Sequence, residues 1–191
     1  MHYFIGTLIA TLPLAIAIPY NMAPRDSKTG CTSLSFGNFS WTVEAFTYTA
    51  GYEFTTPSHQ VSSGSVQFNL TNPASAEKVT CSADSTSLTE FFYGNINYNC
   101  QAVAGSATKT SFSFDRPSGE LNINQTWKCD DEDPRYPITF RGYGTVNLTL
   151  DCEETNYQNP DWHQGETYSY RGITCAPVTL ALKPHEQTAV A

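Results

Sequence analysis

Charge is scarce in this sequence. Asp, Glu, Lys and Arg make up 15% of the 191 residues, and 18 acids against 10 bases leave a net charge of −8. So acidic a chain, with no basic run, excludes nucleic acid and anionic membrane as expected partners, because both are bound through a cationic face. Close metal-ligand spacings are missing as well: there is no Cys-x-x-Cys and no His-x-x-x-His, which excludes the common zinc frameworks. No Gly-x-Ser-x-Gly elbow occurs. Internal repeats, low-complexity tracts and a convincing helical stripe are also absent, so a solenoid or a helix bundle is not expected.

Long apolar runs are lacking apart from one, Phe4 to Ile18, broken only by Gly6, Thr7, Thr11 and Pro13. It is short for a bilayer span, which needs roughly 20 apolar residues, and suits the apolar centre of a signal peptide. Ala15 and Ala17 supply small residues for cleavage, although no Lys or Arg precedes the run. The expected organisation is a signal peptide over 1–17, a flexible polar leader over 18–30, one domain over 31–183 and a flexible tail over 184–191, with no lipid-anchor signal. The protein is expected to be secreted and extracellular. A domain of this size removes roughly 70% of the unfolded chain's surface from water and can hold a real core. Six cysteines, Cys31, Cys81, Cys100, Cys129, Cys152 and Cys175, behind a signal peptide read as disulfides formed in an oxidising compartment.

From Ser40 onward the dominant signal is period two, the mark of half-buried strands. Trp41, Val43 and Ala45 share one phase; Val66, Phe68 and Leu70 another, followed by Val79 and Cys81, then Ile96, Tyr98 and Cys100. Phe112 and Phe114 run into Asp115-Arg116-Pro117-Ser118-Gly119, and Leu121, Ile123 and Trp127 return. That is a hairpin, because Pro presets a negative φ and Gly accepts a positive one. Ile138 and Phe140, then Val146, Leu148 and Leu150, then Val178, Leu180 and Leu182 repeat the alternation. Ser85 to Phe92 is the one candidate for a helical turn; Asp130 to Pro134 and Glu153 to Glu166 read as loops. The expected fold is all-β, a single compact antiparallel barrel or sandwich stapled by disulfides. Asn-x-Ser/Thr sequons stand at Asn38, Asn69, Asn124 and Asn147, each on the polar phase of its segment, as a glycan requires.

Candidate chemistry is thin. His59, His163 and His185 read as surface residues, and Ser106 to Lys109 matches Ser-x-x-Lys without its companion motifs. Glu44, Glu53, Asp115 and Glu120 are the strand-edge acids from which a paired-carboxylate site would be drawn. The run Asp130 to Asp133 offers hard oxygen ligands for Ca²⁺ but lacks the loop-turning glycine of an EF-hand, so a solvated acidic turn is the stronger reading. No catalytic residue, metal site or cofactor is assigned. Trp162, in the polar stretch Asp161 to Glu166, is the candidate surface contact.

The order of motifs resembles one family. Gly30-Cys31, Ser40-Trp41-Thr42-Val43 with Phe46, Phe68-Asn69-Leu70 and Val79-Thr80-Cys81-Ser82-Ala83 come first. Tyr98-Asn99-Cys100, Ser111 to Asp115, Ser118 to Leu121 and Ile173-Thr174-Cys175 follow. Together they resemble the family of the Alternaria major allergen, secreted fungal allergen and elicitor-like proteins. The resemblance implies a compact β-barrel without established enzymatic activity, linked to plant-defence elicitation, small phenolic ligands and a disulfide-joined dimer. It pairs Cys81 with Cys100 and Cys152 with Cys175. The family's intermolecular cysteine matches Cys31, but Cys129 is an added cysteine here, which favours Cys31–Cys129 within one chain. A monomer is then expected, with a dimer through Cys31 as the alternative. The stretch from Cys152 to Cys175, which carries Trp162, is longer than the family pattern. The expected function is a non-catalytic effector-like protein that presents its surface to a host extracellular protein or cell-wall component. The alternatives are a carrier of small phenolic or apolar ligands and a polysaccharide-active enzyme.

Overall fold

The computed structural model describes residues 30–191, apart from residue 102. The expected signal peptide and all but the last residue of the leader lie outside the described residues. The chain opens with a short helix, α1 (Cys31–Phe36), and continues as strands. These are β1 (Trp41–Thr56), β2 (His59–Asn72), β3 (Glu77–Ser85), β4 (Tyr98–Asn99), β5 (Lys109–Asp115) and β6 (Glu120–Cys129). β7 (Ile138–Asn147), β8 (Cys152–Gln158), β9 (Ser169–Cys175), β10 (Val178–Leu182) and β11 (Glu186–Val190) complete the chain.

The strands form two antiparallel sheets. The first runs β3-β2-β1-β9-β8, with β10 also on β1; the second runs β11-β7-β6-β5-β4. β1 is long enough to pair with β2 along one edge and with β10, then β9, along the other. Among the described residues no ladder joins the two sheets, so of the two expected architectures the structure is a sandwich.

The alternation explains the packing. In β6 the inward phase Leu121, Ile123, Gln125, Trp127 and Cys129 is buried, while Asn122, Asn124 and Thr126 are partly open. Phe46, Phe68, Phe112 and Phe114 interlock between the sheets, with Phe46–Phe114 centroids 5.1 Å apart and Phe68–Phe112 5.0 Å apart. Trp41 and Trp127 meet edge-on beside them, and Trp127 stacks on Phe140 at 5.6 Å. Gly142 and Gly144 on β7 make room for the indole of Trp41, since a Cβ at either would lie 2.9 Å from its ring. One polar bridge crosses the core: Asn72 Nδ2 donates to Gln125 Oε1 at 2.7 Å, and Gln125 Nε2 donates to Thr110 Oγ1 at 3.0 Å. The hairpin turn after β5 ends on Gly119 at φ 72°, a conformation that favours glycine.

Several expectations are corrected. Ala45 does not share the inward phase of Trp41 and Val43: β1 bulges there, Ala45 sits exposed at φ 51°, and Phe46 takes the core position. Ile96 is 47% exposed, and only Tyr98 and Asn99 of its segment form a strand. Of the stretch Ser85 to Phe92, Ser85 ends β3 and Thr86 to Phe92 form a non-helical loop that turns Phe91 and Phe92 into the core. The polar stretch after Cys152 begins as β8, whose residues after Cys152 are all exposed, so no apolar alternation marks it. The tail is not free: Glu186 to Val190 pair with β7 from Tyr143 to Thr139, through backbone bonds that need no apolar side chain. α1 begins just after the leader, and its unpaired amide at Thr32 is met by the Asp131 carboxylate rather than by a local cap.

Candidate functional site

A concavity of about 480 Å³ lies on the outer face of the first sheet. Pairing places its side chains in rows. Gly172, Gly51 and Ser63 lie side by side on β9, β1 and β2; Thr174, Thr49 and Ser65 form the next row, and Tyr170, Glu53 and Val61 the row on the other side. Because outward positions recur every second residue, the floor consists of small residues. The Tyr170 ring leans along its strand: a Cβ built on Gly172 would lie 2.9 Å from the ring, and one on Gly51 3.3 Å from it. Two glycines in register therefore let the ring lie low against the sheet.

The polar groups are arranged around that ring. The hydroxyls of Thr49 and Ser65 lie 2.7 Å apart, and Glu53 Oε1 accepts a hydrogen bond from Thr167 Oγ1 at 2.7 Å. Asp84, paired with Ser65, adds a carboxylate at the β3 rim. Such a groove can stack a flat ligand face on Tyr170 and exchange hydrogen bonds with a polyol or phenol. Its two carboxylates oppose an anion.

The residues singled out from the sequence fall in several places. Disulfides join Cys31–Cys129, Cys81–Cys100 and Cys152–Cys175, and no described cysteine is free. The first fixes α1 to β6, the second ties the edge of one sheet to the edge of the other, and the third closes the β8–β9 hairpin. Asn38 and Asn147 are exposed, and Asn69 and Asn124 are half-buried on outward phases. Trp162 is half-buried: its Nε1 donates to Glu166 O at 2.8 Å and its ring meets Tyr168 edge-on, so it braces its own loop.

The acids are occupied in separate structural tasks. Glu44 pairs with Lys78, which holds its carboxyl below the usual range. Asp115 accepts from Ser118 across the hairpin turn, and Glu120 accepts from Asn122. In the acidic loop, Asp131 accepts from Thr32 Oγ1 at 2.6 Å, and Arg135 holds Asp133 below its usual value. Cys31, Cys129 and Asp131 come together, but both sulfurs are in a disulfide and do not offer thiolate ligands. His59 Nδ1 bonds Thr55 Oγ1, and His163 stands beside Glu166 on the surface. The Tyr170 groove itself was not foreseen. Gly51, Gly172 and the surrounding Ser and Thr are individually unremarked, and their register pairing is not visible along the chain.

Fold and site define a disulfide-stapled β-sandwich with a ring-filled interior and polar grooves on its faces. The family model described as Alternaria alternata allergen 1 matches residues 43–175, and the chain belongs to that family of allergen-type proteins. No curated protein and no solved structure matches the chain.

Proposed function

We propose that this is a non-catalytic, secreted effector-like protein that acts by presenting its surface to a host extracellular protein or a cell-wall component. The observation that carries the reading is the contrast between inside and outside. Interlocked rings occupy the space between the sheets, from Trp41 and Trp127 to Phe46, Phe68 and Phe114, whereas the grooves open on outer faces. Recognition by the faces fits this build better than storage within it. The test is binding of the purified full chain to host apoplastic proteins and to insoluble wall material, beside Tyr170→Ala. Saturable binding that Tyr170→Ala weakens without changing the melting temperature is expected. Robust hydrolytic turnover that disappears on changing one carboxylate would overturn the reading.

The carrier reading keeps one specific support, the Tyr170 ring laid against Gly51 and Gly172 beside the groove. On this reading a flat phenolic ligand stacks on the surface rather than entering the interior. A thermal-shift screen with flavonoids that gave no saturable stabilisation would remove it.

A further inference from the structure

The outer face of the second sheet carries a different groove of about 460 Å³, lined by Ala107, Lys109, Thr126, Lys128, Arg141 and Tyr143. We infer that it binds a short stretch of an acidic polysaccharide, a chain of sugar rings bearing carboxylates. This deepens the surface-presentation reading by naming one wall-component class. It concerns the face opposite Tyr170, so the two fail separately.

The cations here are set apart from the rest. Lys78 pairs with Glu44, Arg135 with Asp133 and Arg171 with Glu154, while Lys183 donates to Asn38 Oδ1 and Arg116 lies over the Tyr48 ring. Lys109, Lys128 and Arg141 have no ion-pair partner among the described residues, and all three are exposed around one groove. Sequence pairing explains the cluster. Lys109, Thr126 and Arg141 form one row across β5, β6 and β7. Their Cα positions therefore stand about 10 Å apart across two strand spacings. Lys128 lies two residues along β6, roughly 7 Å from Thr126 on the same face. Three unpaired like charges this close repel one another, and an anion relieves that repulsion.

The remaining lining points to a sugar acid. Tyr143 offers a 36% exposed ring for the flat face of a pyranose, and Thr126 offers a hydroxyl between the cations. Acids bound the groove at both ends: Glu186 pairs with Tyr143 across β11 and β7, and Asp130 follows Lys128 into the acidic loop. A long, densely charged polymer such as nucleic acid would meet both ends and the net charge of −8 beyond them. A short run of carboxylated sugars along the Lys109–Arg141 row comes up to Glu186 only where it reaches Tyr143, and stops short of Asp130. The composition argument against polyanions thus holds for the chain as a whole but not for this face.

Asn124 faces Tyr143 across the β6–β7 pair, and Thr126 completes its sequon, so a glycan there would cover the groove. The test therefore uses the full chain with Asn124→Gln. Binding to de-esterified polygalacturonate oligomers is measured by calorimetry beside the methyl-esterified oligomers, at low and raised salt. The triple variant Lys109→Ser/Lys128→Ser/Arg141→Ser is compared with Lys78→Ser/Arg135→Ser/Lys183→Ser, which removes the same charge elsewhere. Binding to the acidic oligomer, weakened by salt and lowered about tenfold or more by the groove triple but less than about twofold by the control, is expected. Equal binding of the esterified oligomer, equal loss in both triples, or binding of nucleic acid or sulfated polymers but not polygalacturonate would overturn the proposal. If the groove triple does not fold, Arg141→Gln alone must still weaken binding and flatten its salt dependence; an unchanged affinity refutes the site.

Discussion

Removing the Cys31–Cys129 bridge should cost more stability than removing either of the others, although it holds only a six-residue helix. Sequence separations are 98 for this pair, 19 for Cys81–Cys100 and 23 for Cys152–Cys175. In the chain-entropy model a bridge restricts the unfolded chain according to the loop it closes, which gives about 4.7 kcal/mol for a loop near 100 residues and roughly 3 kcal/mol for a loop near 20. The native side does not cancel the difference. In the double variant Cys31→Ala/Cys129→Ala, α1 keeps the Thr32–Asp131 bond, the Trp127 Nε1 bond to Ser35 Oγ at 2.8 Å and the edge contact of Phe36 with Phe140. Cys81 and Cys129 are both buried, so the packing loss is similar in the two double variants compared. At roughly 2–4 °C per kcal/mol for a chain of this size, the Cys31/Cys129 variant should melt about 10–20 °C below the parent. Cys81→Ala/Cys100→Ala should lose about two-thirds as much. Thermal unfolding by circular dichroism, without reductant, reads both. If the Cys31/Cys129 variant proved the more stable of the two, the entropic account of this staple would be wrong.

Three further outcomes follow from the core. Gly142→Ala drives a methyl to 2.9 Å from Trp41 and 3.3 Å from Trp127, both hemmed in by other rings, and should destabilise by about 1–3 kcal/mol in urea titration; a neutral effect would show the indoles can shift. Gln125→Ala leaves Asn72 Nδ2 and Thr110 Oγ1 buried without this partner and should cost about 1–3 kcal/mol, whereas Asn124→Ala next to it should cost less than about 0.5 kcal/mol. Stability should also fall in alkali. Burial raises the phenols of Tyr48, Tyr52 and Tyr98 above their ordinary value, so their contribution is complete below pH about 10, where unfolded tyrosines stay neutral, and is lost as pH rises through the folded values. A urea midpoint that stayed flat from about pH 9 to about pH 11 would refute that.

How much of this was legible along the chain depends on whether the signal is local. The β5–β6 hairpin is local: Phe112 and Phe114, the Pro-Ser-Gly turn and Leu121, Ile123 and Trp127 specify phase and reversal within one stretch, and the structure follows them. The outward phases of Asn69, Asn124 and Asn147 were readable for the same reason. β8 and β11 were not, because an edge strand made through backbone bonds leaves no alternation in its side chains. Ala45 was misplaced because a bulge inserts one residue without changing composition.

The sequence by itself determined the class of fold, the inward and outward faces of its central strands and the supply of cysteines for stapling. Period two and turn chemistry are enforced by neighbours one to four residues away. Tertiary structure alone decided which outer faces carry the grooves. Gly51 meets Gly172 under Tyr170, and Lys109 meets Arg141 across Thr126, only because strands far apart in sequence pair in one register. That register is selected by the joint packing of the indoles of Trp41 and Trp127 and the rings between the sheets. No segment carries that information alone, since each ring's place depends on the shape of the rings from the opposite sheet.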